Sequence, residues 1–377
     1  MADSTIVKPD LNFIKDVKSL GGDSLKKCFQ CATCSVVCKL TPEEKPFPRK
    51  EMIWAQWGLK DKLMQDPDIW LCYNCNDCSV HCPRGAKPGE VLAAVRNYSF
   101  INFAFPRLMG KVLSQARYLP LLFGFPLILL WLMLQGKTTP SDQILFRNLI
   151  PYELIDVAAG IFTLLVFVGL FAGINRFWSL LTQGINGAPS LLSAFKSYLM
   201  PVVSKILRHE KFNDCEANKI RYYAHLSIFY GFVLCLIATS ISAGGIWAEK
   251  LFFKGNEFFL PPWSLFSVVK LTGNLGGTAI VAGCLLALYN RSVNKDTAGA
   301  STYLDSVFTW TILFVAITGF LTQFARMAEA AFWAYLFYGI HLVFVFYLLA
   351  YLPYSKFAHM IYRTVAMIFA EYANRKK

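Results

Sequence analysis

The sequence predicts an all-α protein in which a water-soluble helical head, residues 1–110, precedes a membrane body, residues 111–377. Three observations predict it: an uneven distribution of charge, six apolar segments and two cysteine runs. Residues 1–117 contain 12 acidic and 17 basic residues, whereas the 260 residues from Tyr118 onward contain only 12 and 20. Only 16% of all residues are charged, against roughly 25% in an ordinary soluble protein. This composition excludes a purely soluble protein.

Six apolar segments follow the head, and each approaches the roughly 20 residues that a helix needs to cross a bilayer. They span residues 118–135, 154–175, 222–248, 265–290, 304–326 and 333–355. Two glycine pairs, Gly244-Gly245 and Gly276-Gly277, lie within these segments, and such small residues allow membrane helices to pack closely. The sequence therefore predicts a bundle of six transmembrane helices.

The basic residues predict the orientation of these helices. A connector at 176–221 contains seven basic residues, and the chain ends in Arg375-Lys376-Lys377. The loops 136–153 and 249–264 contain two basic residues each. Because cytoplasmic loops are enriched in Lys and Arg, we expect a multi-pass protein of the inner membrane with its head and C-terminus in the cytoplasm. Residues 1–27 hold no apolar run of the length that an export signal requires.

The same topology accounts for the net charge of +13. The basic residues of the body cluster at the edges of apolar runs, so membrane lipid rather than nucleic acid is the expected partner. Within the connector, residues 191–207 form an amphipathic pattern. A segment of this kind can lie on the inner membrane surface, and a plain cytoplasmic connector is the alternative.

Eight of the 11 cysteines form two runs with the identical spacing Cys-x2-Cys-x2-Cys-x3-Cys. Three closely spaced thiolates can wrap one [4Fe-4S] cluster, and in two-cluster ferredoxins the fourth cysteine of each run binds the other cluster. One cluster is therefore expected on Cys28, Cys31, Cys34 and Cys82, and the other on Cys72, Cys75, Cys78 and Cys38. Structural zinc fits less well because it usually takes two separated cysteine pairs, and disulfides are disfavoured in a cytoplasmic domain.

The segment between the runs has 33 residues and a helical pattern from Met52 to Leu59, which favours a helical ferredoxin over a compact β-rich one. The stretches PRKEMIWAQWGL and DIWLCYNCNDCSVHCP resemble the small iron-sulfur subunit of heterodisulfide reductases. This resemblance covers the head. It implies electron transfer beside a flavin-carrying partner.

Four histidines outside the cysteine runs are candidate haem ligands, His209, His225, His341 and His359. A haem held by two imidazoles needs them on facing helices. Eighteen residues separate His341 from His359, or about 27 Å along a continuous helix, which suits two haem levels across a bilayer. His225 and His359 are expected at the same depth in the membrane, so they form the predicted ligand pair of an inner haem.

The stretches YYAHLSIFYGFVLC and YGIHLVFVFYLLAYLPYSKFAHM resemble the two ligand helices of the haem b subunit of respiratory nitrate reductase. The resemblance implies haem b ligation by His225, His341 and His359, and it places the fourth ligand position on Cys235. Three alternatives follow for the outer haem: Cys235 ligates it, another residue does, or it is absent.

A second pairing scheme involves His209, which is 16 residues from His225. Antiparallel helices would then pair His209 with His359 and His225 with His341. The polar sequence around His209 indicates a cytoplasmic position and favours the first scheme.

Lys270 is expected about one and a half turns into the fourth segment from the outer side. Snorkelling of its ammonium group to the outer headgroups is one explanation. The stretch FSVVKLTGNLGG resembles the part of the nitrate reductase subunit that contributes a quinone-binding lysine, which implies that Lys270 donates to a quinone carbonyl.

Head and body in this order resemble the C-subunit family of quinone-interacting membrane-bound oxidoreductase complexes of sulfate-reducing microbes. The resemblance implies an α-helical ferredoxin domain with two [4Fe-4S] clusters, followed by a six-helix transmembrane bundle with one or two haems b. It also implies two cytoplasmic flavin and iron-sulfur partners of the heterodisulfide reductase A type. Electrons would be exchanged between menaquinone and adenylylsulfate reductase.

Other functions remain open at this point. The chain could be the haem subunit of a sulfite reductase-linked complex or of a heterodisulfide reductase, or a non-enzymatic membrane tether for an iron-sulfur protein. No nucleophile–base pair or phosphate-binding loop stands out, so no bond-making chemistry beyond quinone redox is expected.

Overall fold

The computed structural model describes residues 8–135, 144–209, 211–212, 214, 218–252 and 261–375. These residues form helices, turns and loops without a β-strand, which confirms the all-α prediction. Cys215, Lys376 and Lys377 lie outside the described residues, as do parts of the loops 136–153 and 249–264.

Eight helices precede the first apolar segment: α1 (Leu11–Ser19), α2 (Thr33–Val36), α3 (Arg49–Gln56), α4 (Lys60–Met64), α5 (Asp68–Leu71), α6 (Asp77–Val80), α7 (Pro88–Phe103) and α8 (Arg107–Leu113). The helical pattern predicted from Met52 to Leu59 corresponds to α3 and the turn that follows it. Gly58 turns the chain between α3 and α4 at φ +68°, and a Cβ there would lie 2.8 Å from the carbonyl oxygen of Asp10. Glycine is required at this turn because a side chain has neither the space nor the backbone conformation.

The apolar segments form α9 (Leu119–Met133), α11 (Tyr152–Leu181), α13 (Lys219–Phe252), α14 (Val268–Val293), α16 (Tyr303–Met327) and α17 (Ala331–Ala350). With the turn before α9, all six are long and apolar enough to cross a membrane, which confirms the predicted multi-pass body. The remaining helices are α10 (Phe146–Leu149), α12 (Leu191–Arg208), α15 (Lys295–Ala298) and α18 (His359–Tyr372). The amphipathic segment predicted in the connector is helical as α12.

Glycines bring α13 and α14 into backbone contact. A Cβ on Gly276 would lie 2.7 Å from the carbonyl oxygen of Gly231, and one on Gly283 would lie 2.8 Å from that of Ala224. Small residues allow such contact between membrane helices, as expected for Gly276. A Cβ on Gly244 would meet open space, so this glycine does not serve the same purpose.

The last apolar segment is not one continuous helix. α17 ends at Ala350, and two short 3₁₀ turns, Leu352–Tyr354 and Lys356–Ala358, precede α18, which begins at His359. Pro353 lies in the first turn and cannot donate the backbone hydrogen bond that a continuing helix needs. The separation of about 27 Å expected between His341 and His359 assumed a continuous helix, and the structure contradicts that assumption.

The head and the membrane body share one hydrophobic core. Trp70 of the head packs against Phe177 of α11 at 5.8 Å between ring centroids and against Tyr362 of α18 at 5.0 Å. Phe103 of α7 lies 5.1 Å from Phe177. Because these rings are fully buried together, the head is packed onto the body rather than joined to it by a free linker.

Polar contacts fix the same junction. The side-chain amide of Asn76 donates to the carbonyl oxygen of Thr297 at 3.2 Å, and the backbone N–H of Ala300 donates to Glu90 at 3.1 Å. Gln65 donates to Gln183 at 3.0 Å. The contacted residues lie in the segments that follow α11 and α14. The head therefore lies at the end of the bundle where α11 and α14 have their C-termini.

Candidate metal centres

The structure brings Cys82 of the second run to the first three cysteines of the first run. The thiols of Cys28, Cys31 and Cys82 are close enough to that of Cys34 to interact with it electrostatically. Cys28 likewise interacts with Cys82 and Cys31. These four thiols form the outward cysteine site, where Cys31 is exposed to solvent.

The other four cysteines form a second group, the inward cysteine site. The thiol of Cys78 interacts with those of Cys72, Cys75 and Cys38. All four of these residues line one cavity, together with Phe47 and Leu92 among others. Cys34 also acts electrostatically on Cys78, so the two sites are neighbours.

Both runs fold in the same way. Gln30 and Asn74 occupy equivalent positions after the first cysteine of each run, and both have a left-handed φ, of 62° and 53°. Two residues later in each run, Ala32 and Asn76 also have a left-handed φ, of 68° and 72°. Such conformations are unfavourable for residues other than glycine, so the surrounding structure must hold them, and they curl each loop around its thiols.

The environment of these thiols fits an iron-sulfur cluster. Burial raises the pKa of Cys34 to about 11 and that of Cys38 to about 12, so these thiols stay protonated at neutral pH without a metal. Iron would offset the cost of burying thiolates. Backbone N–H groups already donate to sulfur, from Asn74 to Cys72 and from Ala86 to Cys82, each at 3.3 Å. Hydrogen bonds of this kind tune bound clusters.

Two arginines surround the backbone at Cys72. The guanidinium of Arg96 donates to the carbonyl oxygens of Ile69 at 3.1 Å and Cys72 at 3.2 Å. Arg363 of α18 donates to those of Trp70 at 3.1 Å and Cys72 at 3.3 Å. The carbonyl oxygen of Cys72 thus accepts from two cations, one on the head and one on the body.

Three histidines lie together at the head end of the bundle. His225, in the second turn of α13, interacts electrostatically with His359 and His209. The ring of His209 lies 5.4 Å from that of His225, at the C-terminal end of α12. The sequence predicts His225 and His359 at one level, and the structure places them close together.

The orientation of His359 suits a metal ligand. Its Nδ1 lies 2.5 Å from the carbonyl oxygen of Lys356, so this nitrogen carries the proton and Nε2 keeps a free lone pair. Lys356 is ion-paired with Asp305 of α16 at 2.6 Å, which fixes the turn before α18. The Nδ1 of His225 is buried without a hydrogen-bond partner. These two imidazoles therefore fit the ligand set of a haem b.

His341 is held separately, against α16. Its Nδ1 lies 3.0 Å from the carbonyl oxygen of Val315 and 3.2 Å from the hydroxyl of Thr318. Gly319 makes room for the ring, because a Cβ there would lie 3.2 Å from its Cε1. His341 also keeps Nε2 free, so it offers one ligand of the right tautomer.

Cys235, the alternative ligand for the outer haem, lies on α13 beside α14. Its thiol is turned toward α14, where it lies 3.9 Å from the carbonyl oxygen of Gly273 and where a Cβ on Gly276 would approach its sulfur within 2.8 Å. The third cysteine outside the runs, Cys284, is fully buried in α14.

Lys270 lies in the first turn of α14, not one and a half turns into a helix, because α14 begins at Val268. Its Nζ donates to the side-chain oxygen of Gln323 on α16 at 2.8 Å. Lys270 is half-buried, and Arg326 is a charged neighbour one turn from Gln323. Lys270, Gln323 and Arg326 therefore form a polar cluster at the end of the bundle away from the head.

Arg96, Arg363 and Gln323 were not among the residues predicted from the sequence. Two of them carry a recognisable signal. Arg363 follows His359 by four residues and so lies on the same face of α18. Gln323 is a polar residue inside an apolar segment, which often marks a functional position.

Comparison with known families supports this division of the chain. A 4Fe-4S dicluster domain matches residues 24–86, which supports iron-sulfur clusters in the head. The family described as citrate utilization protein B matches residues 106–377.

Individual relatives match the two parts differently. The C subunit of the H(2):CoB-CoM heterodisulfide,ferredoxin reductase of Methanothermobacter marburgensis is 39% identical over 89 residues, 23% of this chain and 48% of that protein. Citrate utilization protein B of Escherichia coli is 28% identical and covers 79% of this chain and 80% of its own length. The E subunit of the dihydromethanophenazine:CoB--CoM heterodisulfide reductase of Methanosarcina acetivorans is 24% identical, covering 40% of this chain and 59% of its own length.

The chain spans about half the length of the first heterodisulfide reductase relatives that it matches. No solved structure matches it. Because residues 106–377 make up well over half of the sequence, the chain belongs to the citrate utilization protein B family, and it carries a heterodisulfide reductase C-like iron-sulfur head fused to its membrane body.

Proposed function

We propose that the chain is a membrane electron-transfer subunit that exchanges electrons between menaquinol and cytoplasmic oxidoreductase subunits. Two [4Fe-4S] clusters, on Cys28, Cys31, Cys34 and Cys82 and on Cys72, Cys75, Cys78 and Cys38, would supply one-electron carriers. One or two haems b, held by His225, His341 and His359, would supply the others. Its orientation, with the head and C-terminus in the cytoplasm, is part of the proposal.

One observation carries this proposal furthest: α18 connects the histidine group to the inward cysteine site. The helix begins at His359, and one turn later Arg363 donates to the carbonyl oxygen of Cys72. A tether would need only to hold the head to the membrane. Here the contact joins the two groups that suit redox cofactors.

The quinone site is proposed at Lys270 and Gln323. A half-buried ammonium group beside an amide can donate hydrogen bonds to a quinone carbonyl, and it lies at the end of the bundle away from the head. Electron transfer from there to the head would cross the membrane potential, at roughly 2.3 kcal/mol per charge per 100 mV.

The partners proposed are two flavin and iron-sulfur subunits of the heterodisulfide reductase A type, with adenylylsulfate reductase as the final partner. The relatives named as heterodisulfide reductase subunits support a complex of this type. The longer match with citrate utilization protein B favours a second candidate, in which the same subunit serves the utilisation of citrate or a related organic acid.

Purification of the intact complex tests the proposal. We expect haem b absorbance, iron and sulfide for two clusters, and reduction of the haem by a menaquinol analogue. The His359→Ala variant should lose this reduction. A preparation without haem absorbance and without any response to the quinol would instead support the tether. Two measurements separate the candidate pathways. One is oxidation of the reduced complex by adenylylsulfate with its reductase, and the other is reduction of the oxidised complex by citrate or a related organic acid.

A further inference from the structure

Three large apolar side chains are exposed around the outward cysteine site. Phe29 is 67% exposed, Val36 83% and Val80 46%. Phe29 directly follows Cys28, Val36 lies two residues after Cys34, and Val80 lies two residues before Cys82. We call Phe29, Val36 and Val80 the apolar face. Exposed apolar side chains gathered around one site of a soluble head indicate a contact surface.

The surroundings of this face are basic. Residues 24–41 contain Lys26, Lys27 and Lys39, and residues 79–86 contain Arg84, with no acidic residue in either stretch. Lys87 follows, but it is ion-paired with Glu90 at 3.3 Å. The guanidinium of Arg84 stacks over the ring of Phe29 at 4.1 Å, and Arg49 donates to the carbonyl oxygen of Gln30 at 3.1 Å. A partner with acidic residues around a small apolar patch would complement this surface.

At the inward cysteine site, the backbone of Cys72 is covered by side chains of the head and the body. The carbonyl oxygen of Cys72 is covered by Arg96 and Arg363, and the ring of Tyr73 lies under Arg363 at 3.8 Å. At the outward cysteine site, in contrast, Cys31 is exposed. A soluble redox protein can therefore approach the outward site closely, while the body occupies the other.

We propose that the apolar face with its basic rim is the docking surface for an acidic soluble electron-transfer protein. The apolar side chains would be desolvated at the centre of the contact, and the basic rim would steer the acidic partner and set the salt dependence of its association. This inference rests on the proposed function, which it extends by naming the surface and the charge of the partner.

The test measures the affinity of two soluble redox proteins for the full chain in nanodiscs. Flavodoxin serves as an acidic redox probe and cytochrome c as a basic one of similar size. We expect flavodoxin to bind, with an affinity that falls steeply as salt is raised, and cytochrome c not to bind. The F29S/V36S variant should weaken flavodoxin binding at least tenfold, and Arg84→Glu should reduce its salt dependence. Unchanged cluster signals in electron paramagnetic resonance show that the variants remain folded.

Leu11→Ser provides the control, because Leu11 is 66% exposed on α1 of the same head and lies outside the two cysteine runs. Its binding should equal that of the original chain. Equal binding of both probes, or full flavodoxin binding by F29S/V36S, would overturn the proposal. So would self-association of the chain that F29S/V36S abolishes, because a second copy would then occupy the face. Quinol reduction of haem is measured separately, so failure of docking is distinguishable from failure of the proposed function.

Discussion

The guanidinium of Arg363 donates to the carbonyl oxygen of Cys72 at 3.3 Å and lies 3.8 Å from the centre of the Tyr73 ring. Because α18 begins at His359, one helix presents an imidazole to the membrane body and a cation to the inward cysteine site. Arg375 at the far end of the chain adds an ion pair with Asp68 at 2.8 Å. The C-terminal segment is thus a structural link between head and body.

Replacement of Arg363 by Ala should lower the reduction potential of the cluster proposed at Cys72, because a nearby positive charge favours the more negative reduced state. It should also destabilise the junction by about 1.5–3 kcal/mol, the usual contribution of hydrogen bonds to a charged group. Redox titration followed by electron paramagnetic resonance measures the first effect. Arg363→Lys keeps the positive charge, so its cluster should have a reduction potential close to that of the original chain. Thr364→Ala, whose hydroxyl donates within the same helix to the carbonyl oxygen of Met360, is the control. An unchanged potential in Arg363→Ala would count against the role.

Cys82→Ser and Cys38→Ser should each damage the cluster of the other run. Because Cys82 lies with Cys28 and Cys34, its loss should alter the signals of the outward site and spare those of the inward site. Iron content and paramagnetic resonance spectra of both variants measure this. Cys284→Ser serves as the control. If Cys82→Ser gave the spectrum of Cys72→Ser, the crossed arrangement would be wrong.

The histidine variants should separate into two classes. His225→Ala and His359→Ala should each abolish the inner haem, whereas His209→Ala and Cys235→Ala should keep it, because His209 caps α12 and the Cys235 thiol faces α14. A haemochrome assay and low-temperature spectra give the haem count. Loss of the inner haem in His209→Ala would favour the second pairing scheme. A loss of one haem in Cys235→Ala would assign the outer level to that thiol.

Lys270→Ala should impair quinol turnover at least tenfold while leaving the inner haem intact. Gln323→Leu should have a smaller effect in the same direction, because it removes the acceptor that orients the ammonium group at 2.8 Å. Steady-state oxidation of a menaquinol analogue measures both variants. Thr272→Ala, a half-buried position on the same helix whose hydroxyl donates within α14, is the control. Unchanged turnover in Lys270→Ala would exclude this lysine from the quinone site.

Glu51→Gln should stabilise the head at alkaline pH. Burial and then the carboxylate of Asp66 raise the pKa of Glu51 well above its ordinary value of 4.5, although Lys50 lies 3.1 Å away. The contribution of protonated Glu51 to stability is therefore complete below pH 4.5 and is lost as the pH rises through the raised pKa. Each unit of the shift corresponds to about 1.4 kcal/mol.

Thermal unfolding between pH 5 and pH 9 in detergent measures this difference. The Tm of Glu51→Gln should exceed that of the original chain at high pH, and the gap should narrow toward pH 5. Glu44→Gln, at an exposed position, should leave the pH dependence unchanged. A Tm gap that is independent of pH would mean that Glu51 does not titrate in this range.

Much of the fold follows from local patterns in the sequence. Each apolar segment is long enough to specify its own helix, so the sequence predicts the ends of the six membrane helices to within six residues. The break at Pro353 was missed because the apolar run continues on both sides of it. The position of Lys270 was misplaced because the apolar run starts three residues before α14 does.

Contacts between distant parts of the chain cannot be predicted from the sequence alone. The cysteine spacing implies which thiols share a cluster, but nothing local places Arg363 at Cys72, 291 residues away. The packing of Trp70 between Phe177 and Tyr362 depends in the same way on how three helices meet. Long-range packing decides such contacts, and one sequence carries no periodic signal for it.

The most direct test of the account is rapid freezing of the purified chain in nanodiscs after mixing with a menaquinol analogue, followed by electron paramagnetic resonance of the clusters. We predict that the quinol reduces a cluster in the original chain, and that His359→Ala, with both clusters assembled, abolishes this reduction. Cluster reduction at an unchanged rate in His359→Ala would contradict the account.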